Sequence, residues 1–168
     1  MKDIREVFYN VKDLYAALKG MTGVIPSGTH GGSSLTLEAA VTNRDLYKVV
    51  AKLFKDGHHA RAVEEAFKYL NNLVKRRAGL DPSPDGSSLM KTVFSPNKPI
   101  LRLNAGATQS ERDEQLGYME IFSGCMTGIR NPRAHEHDWE DSERRALELL
   151  TLANHLVERV LAATKSSP

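Results

Sequence analysis

The stretch Gly128-Ile129-Arg130-Asn131-Pro132-Arg133-Ala134-His135-Glu136-His137 joins two long runs of helical periodicity. Before it, Leu116, Met119, Phe122, Met126 and Ile129 recur at steps of three and four. After it, Ala146, Leu149, Leu150, Ala153, Leu156, Val157, Val160 and Leu161 do the same. Each set is the apolar face of an amphipathic helix. The joint holds more polar groups than a turn between helices needs. Within it, Asn131 is a good N-cap and Pro132 is comfortable at a first helical position. Proline also disfavours the helical region for the residue before it. The expectation is that one helix ends near Arg130 and a new turn begins at Pro132.

Working outward, Leu46, Val49, Val50, Leu53 and Phe54 mark a short helix ending near Gly57. Val63, Ala66, Phe67, Leu70, Leu73 and Val74 mark another from about His59 to Ala78, closed by Gly79 after the basic turn Lys75-Arg76-Arg77. Residues 80–110 read as irregular, with a short helix within Ser87–Phe94 and an extended arm over 99–104. Ser110 and Asp113 have capping-box spacing, and Asp141 or Ser142 is placed to cap the last helix. At the start, Ile4, Val7, Phe8, Val11, Leu14, Tyr15 and Leu18 form one more apolar stripe. The expected organisation is an N-terminal amphipathic helix over 1–20, a Gly/Ser/Pro-rich linker over 21–37, and a helical domain over 38–168. With no strand period, the expected class is all-α, an antiparallel bundle of four to five helices plus the extra N-terminal helix.

Length and composition narrow the function classes. The chain has 168 residues, 40% hydrophobic and 26% charged, enough to bury a core without metals or disulfides. Cys125 is the single cysteine, which excludes an intramolecular disulfide and a cysteine-based zinc site. The longest apolar runs are too short for a membrane span, and no secretory leader is legible, so the expected setting is the cytoplasm. The net charge of +2 hides an asymmetry. Residues 44–102 carry twelve Lys/Arg against six Asp/Glu, whereas residues 103–168 carry seven against eleven. A basic middle attracts a polyanion, although a solvated helix face is the commoner explanation. The acidic last third argues against sequence-blind coating of nucleic acid.

The joint is the place where chemistry can sit. Arg130 supplies a permanent cation able to clamp a phosphate with two hydrogen bonds. His135 supplies a group that moves protons near neutral pH. Five residues apart on an unbroken helix, they would point about 140° apart. A kink at Asn131-Pro132 would bring them to one pocket. The alternatives are ordinary: an arginine favoured at a helix end, and a solvated histidine. A metal reading uses His135, His137 and Asp138, but neighbouring residues point in different directions and the H-E-x-x-H arrangement is missing. His58-His59 opens a helix as solvated residues often do. Gly28, Gly31 and Gly32 lack the lysine of a phosphate-binding loop. Cys125 reads as a small core residue, and Trp139 as a lid on the bundle end rather than a base-stacking platform.

The unit Arg130-Asn131-Pro132-Arg133-Ala134-His135, near the end of a helical bundle, resembles the Arg-x4-His signature of the HEPN superfamily. Over roughly residues 46–163 the chain resembles that superfamily's Ymh-type branch, found in prophages and defence loci. The matching segments are LFKDGHHARAVEEAF, SLM (Ser88–Met90), DEQ (Asp113–Gln115), GIRNPRAH (Gly128–His135) and ERRALELL (Glu143–Leu150). The resemblance implies a metal-independent endoribonuclease that needs no cofactor and works as a homodimer. The Arg and His of two protomers would then converge on one composite site. A ribose 2′-OH would attack the adjacent phosphorus, leaving a 2′,3′-cyclic phosphate and a 5′-OH. Arg130 would neutralise the scissile phosphate, and His135 would act as general acid or base. Asn131 would hydrogen-bond within the site, and Arg133 would add a phosphate contact, with a salt bridge to Glu136 or Glu140 as its structural alternative. A toxin or phage-defence role is implied, with an antitoxin or defence-system protein as a possible partner. The rival reading is a non-catalytic HEPN scaffold that binds RNA, nucleotide or a partner protein.

Overall fold

Described in the computed structural model are residues 35–80 and 84–166. The expected N-terminal helix and the linker as far as Ser34 lie outside these residues. Leu37, the last position assigned to the linker, instead opens a short helix, α1 (Leu37–Ala40), and is buried. There follow α2 (Arg44–Lys55), α3 (His59–Ala78), α4 (Gly86–Val93) and a two-residue strand β1 (Leu101–Arg102). Helix α5 (Gln109–Cys125) runs through a π-helical turn (Met126–Arg130) into α6 (Asn131–His135). Helix α7 (Glu143–Ala162) and strand β2 (Thr164–Lys165) complete the order. The class is all-α, as the periodicity predicts. The only strand pairing among the described residues is antiparallel, Leu101 with Lys165 and Arg102 with Thr164.

Helix α3 is the centre of the packing. It lies against α2 on one side and α7 on another, and it also meets α4, the π turn and α6. Its buried face, Val63, Ala66, Phe67, Leu70 and Val74, is the set the periodicity selects. Facing it are Leu46, Val50 and Phe54 of α2, and Ala146, Leu150, Ala153 and Val157 of α7. Each such buried aliphatic or aromatic side chain is worth about 1.5–3 kcal/mol. Phe94, just after α4, stacks on Phe122 of α5 with ring centroids 4.4 Å apart.

The helix ends obey local rules with one shift. Helix α3 closes on Gly79 at φ +72°, in the left-handed region glycine enters without strain. The α5 capping box uses Thr108 and Glu111, two residues before the expected Ser110 and Asp113. Both pairs have capping-box spacing, but only Thr108-Glu111 has the longer acid that reaches back to the cap amide. Ser142 caps α7 through the Arg145 amide, one of the two residues expected.

Buried polar groups tie the irregular stretch down. Gln115 donates to the carbonyls of Phe94 and Leu101 at 3.0 and 3.2 Å and accepts from the Leu103 amide at 2.9 Å. Asn71 of α3 donates to Asp85 and accepts from the Gly86 amide, fixing the start of α4. Arg77 donates to the carbonyls of Leu161 and Ala163, using its cation to satisfy the end of α7. No helix among the described residues is long and apolar enough to cross a membrane.

Candidate functional site

An element boundary falls where expected, with the π turn ending at Arg130 and α6 starting at Asn131 with Pro132 in its first turn, but the backbone does not leave the helical region there. Cys125, Met126, Arg130 and Asn131 all have right-handed helical dihedrals, so the chain is helical without interruption from Gln109 to His135. The turn before the proline widens instead. The Asn131 amide reaches back five residues to the Met126 carbonyl. A proline inside an α-helix lacks one amide and crowds the carbonyl four residues earlier, here that of Gly128. One extra residue in the preceding turn makes room for the ring, which is how π turns interrupt a helix without ending it. The helix stops at Glu136, whose backbone is extended.

Continuity changes the geometry of the four named residues. Five residues along a regular helix correspond to a rotation of about 140°, so the two side chains leave this helical run in different directions. Arg130 is half-buried. Its Nη1 donates to the Asn131 Oδ1 at 3.1 Å, while its buried Nε has no hydrogen-bond partner. Asn131 is thus an orienting neighbour of Arg130. His135, the last residue of α6, is exposed and makes no hydrogen bond.

Arg133 is turned the other way. Its side chain is 1% exposed and faces an equally buried Asp141. Nε donates to Asp141 Oδ2 at 2.6 Å and Nη2 to Oδ1 at 2.8 Å. Nη1 donates to the Ile129 carbonyl at 2.7 Å, and the guanidinium lies 5.4 Å from the centroid of the Trp139 ring. Arg145 approaches the same carboxylate at 3.5 Å. The expected phosphate contact at Arg133 is therefore replaced by a buried, bidentate latch. Its partner is Asp141, not Glu136 or Glu140. The latch pins the loop 136–142 against the end of α6.

That pinned loop forms one wall of a cleft of about 460 Å³ whose other wall is the turn from α2 into α3. His58, His59 and Arg61 face His137, Asp138 and Trp139 across it. His58 is exposed, as expected at a helix start, and both histidines also line this cleft. The signal that could have recovered them is their place inside LFKDGHHARAVEEAF, one of the segments carrying the resemblance. Trp139 is half-buried beside Arg133, with its Nε1 buried and unpaired. His135, His137 and Asp138 do not gather as ligands: no group of three His, Cys, Asp or Glu side chains among the described residues could hold a metal ion. Cys125 is buried, and burial pushes its thiol up to about 11, so it is not a poised nucleophile.

The fold and the joint define an all-α domain with a polar, π-turned helix end. Residues 40–160 match the family described as "Protein of unknown function (Hypoth_ymh)", and the chain belongs to that family. No curated protein and no solved structure matches the chain.

Proposed function

We propose that the protein is a metal-independent endoribonuclease of the HEPN type, an antiparallel helical bundle acting as a homodimer in a toxin or phage-defence role. The observation that carries this reading is the state of the two key side chains. Arg130 holds a buried Nε without a partner, and His135 at the end of the same helical run is exposed and unbonded. Both have hydrogen-bonding capacity that the protomer does not use. Since they point apart on one helix, a second copy is the simplest way to bring an arginine and a histidine to one phosphate.

The outward face of α5 and the π turn suits such a partner. A Cβ added at Gly117, Gly124 or Gly128 would meet nothing within 4 Å, so these positions face open space. Ile121 and Leu116 stand exposed beside them. Glycines let another backbone come close, and the two apolar side chains give it surface to bury.

At the composite site, the ribose 2′-OH attacks phosphorus as His135 of one copy accepts its proton. A second protonated group, His135 of the other copy, donates to the departing 5′-oxygen. Arg130 stabilises the charge gathering on the non-bridging oxygens, and Asn131 holds its guanidinium in place. The products are a 2′,3′-cyclic phosphate and a 5′-OH. One observation favours the second reading, a non-catalytic HEPN scaffold for RNA, nucleotide or a partner protein: with Arg133 committed to Asp141, the joint offers one free arginine fewer than an efficient phosphate clamp would use. Expression in a bacterial host separates the two. Growth arrest relieved by His135→Ala supports the nuclease, and harmless wild-type expression supports the scaffold.

A further inference from the structure

The cleft between the α2–α3 turn and the loop 136–142 is not used by the chemistry above, yet it begins two residues beyond His135. We propose that it binds one ribonucleotide of the RNA, with the phosphate held by the imidazoles of His58 and His137 and the ribose 2′-OH donating to the carboxylate of Asp138. This rests on the ribonuclease reading for the choice of RNA as the source of that nucleotide.

Four observations lead to it. The cleft, about 460 Å³, falls within the range of small-ligand sites. Its walls come from segments some eighty residues apart in sequence, and one of them, a loop, is fixed by the buried Arg133–Asp141 pair. A fixed wall lowers the ordering cost of binding. The polar groups on the walls are also free. His58 caps α3 without a side-chain hydrogen bond, and His137 makes none. Asp56, just after α2, is bonded to Lys52 and also attracts His58 electrostatically, without a hydrogen bond between them. Arg61 is occupied by Glu64 and Glu65, and Asp141 by Arg133 and Arg145, which leaves Asp138 and Glu140 as the unpaired carboxylates. Finally, Trp139 presents a buried Nε1 donor without a partner on this wall, and buried donors are ordinarily satisfied.

The mixture of groups selects the ligand. Two unpaired carboxylates repel a bare anion. A metal ion finds no cluster of three ligands among the described residues. A ribonucleotide carries both an anionic phosphate for imidazole donors and hydroxyl donors for carboxylates, a pairing used elsewhere for ribose recognition.

Trp139 is the single tryptophan of the chain, so its fluorescence reports on the cleft alone. The test titrates the full chain with adenosine 3′-monophosphate, with adenosine and with inorganic phosphate. A saturable change is expected with the nucleotide, with binding at least roughly tenfold weaker for the other two, the worth of one charge-assisted contact. His58→Ala, His137→Ala and Asp138→Asn should each weaken the nucleotide by a similar factor while leaving the far-ultraviolet dichroism unchanged. His135→Ala should leave the titration intact. No response up to about 10 mM nucleotide, or equal responses to all three probes, overturns the proposal. The two readings fail separately. RNA cleavage that survives His58→Ala and His137→Ala unaltered, with no titration, removes the cleft and keeps the nuclease. A specific titration without any RNA cleavage keeps the cleft and removes the nuclease.

Discussion

Breaking the Arg133–Asp141 latch should be among the costliest substitutions in the domain, and the two halves should not cost the same. The side chains are 1% and 0% exposed and joined by two hydrogen bonds of 2.6 and 2.8 Å. Removing one member of a buried pair costs about 3–5 kcal/mol, because the other charge is left behind. Asp141→Ala strands a guanidinium that cannot shed its proton, with only the Ile129 carbonyl and the Trp139 ring for company. Arg133→Met leaves a carboxylate that can take up a proton and that still has Arg145 at 3.5 Å. Asp141→Ala should therefore reach the upper part of that range and Arg133→Met the lower part or below it. For a domain of this size each kcal/mol moves the midpoint by a few degrees, so Asp141→Ala should lower Tm by roughly 10–20 °C. The double change Arg133→Met with Asp141→Ala should recover most of the loss, since an apolar pair strands no charge. Urea unfolding of the wild type, both single variants and the double variant measures all four corners. A loss below about 1 kcal/mol for Asp141→Ala, or losses that simply add, would refute the buried-pair reasoning.

Three further outcomes follow from the same geometry. Gln115→Leu should cost about 2–4 kcal/mol in urea unfolding, because two carbonyls and one amide of the 94–103 stretch lose their partner at once; a loss within 0.5 kcal/mol, the usual surface scatter, would contradict this. The Cys125 thiol, raised to about 11 by burial, should react with a thiol reagent at pH 8 far more slowly in the folded chain than in denaturant, and equal rates would show it to be accessible. Gly124→Arg adds a long cation to the open face of α5 without meeting any neighbour in its own chain. It should leave Tm nearly unchanged while shifting sedimentation from dimer to monomer and abolishing RNA cleavage; a dimer of wild-type affinity would remove this face from the interface.

The helices were legible because their signal is local and repeated. The 59–78 helix matches its expected bounds, since apolar steps of three and four and a closing glycine all agree. At Asn131-Pro132 the sequence marks the boundary but not its form. Each residue's own preference points to a boundary, but a π turn relieves the proline's clash at the expense of one widened turn, and packing against α3 keeps the segment helical. Arg133 was misassigned because its partner lies eight residues on, beyond a loop whose path no periodicity describes. The cleft was invisible for the same cause: His58 and His137 come together only through the tertiary packing of α3 on α6. Arg130 and His135, the pair the motif singles out, keep donors that the chain does not use: the Arg130 Nε has no partner and His135 makes no hydrogen bond.

The central claim is RNA cleavage by that pair, and it is tested most directly with a labelled single-stranded RNA pool in excess EDTA. Wild type, Arg130→Ala and His135→Ala are compared, and the ends of any fragments are identified. The account predicts cutting by the wild type alone, with 2′,3′-cyclic phosphate and 5′-OH ends. Cutting at equal rates by all three proteins, or by the wild type only when a divalent metal is restored, would contradict it.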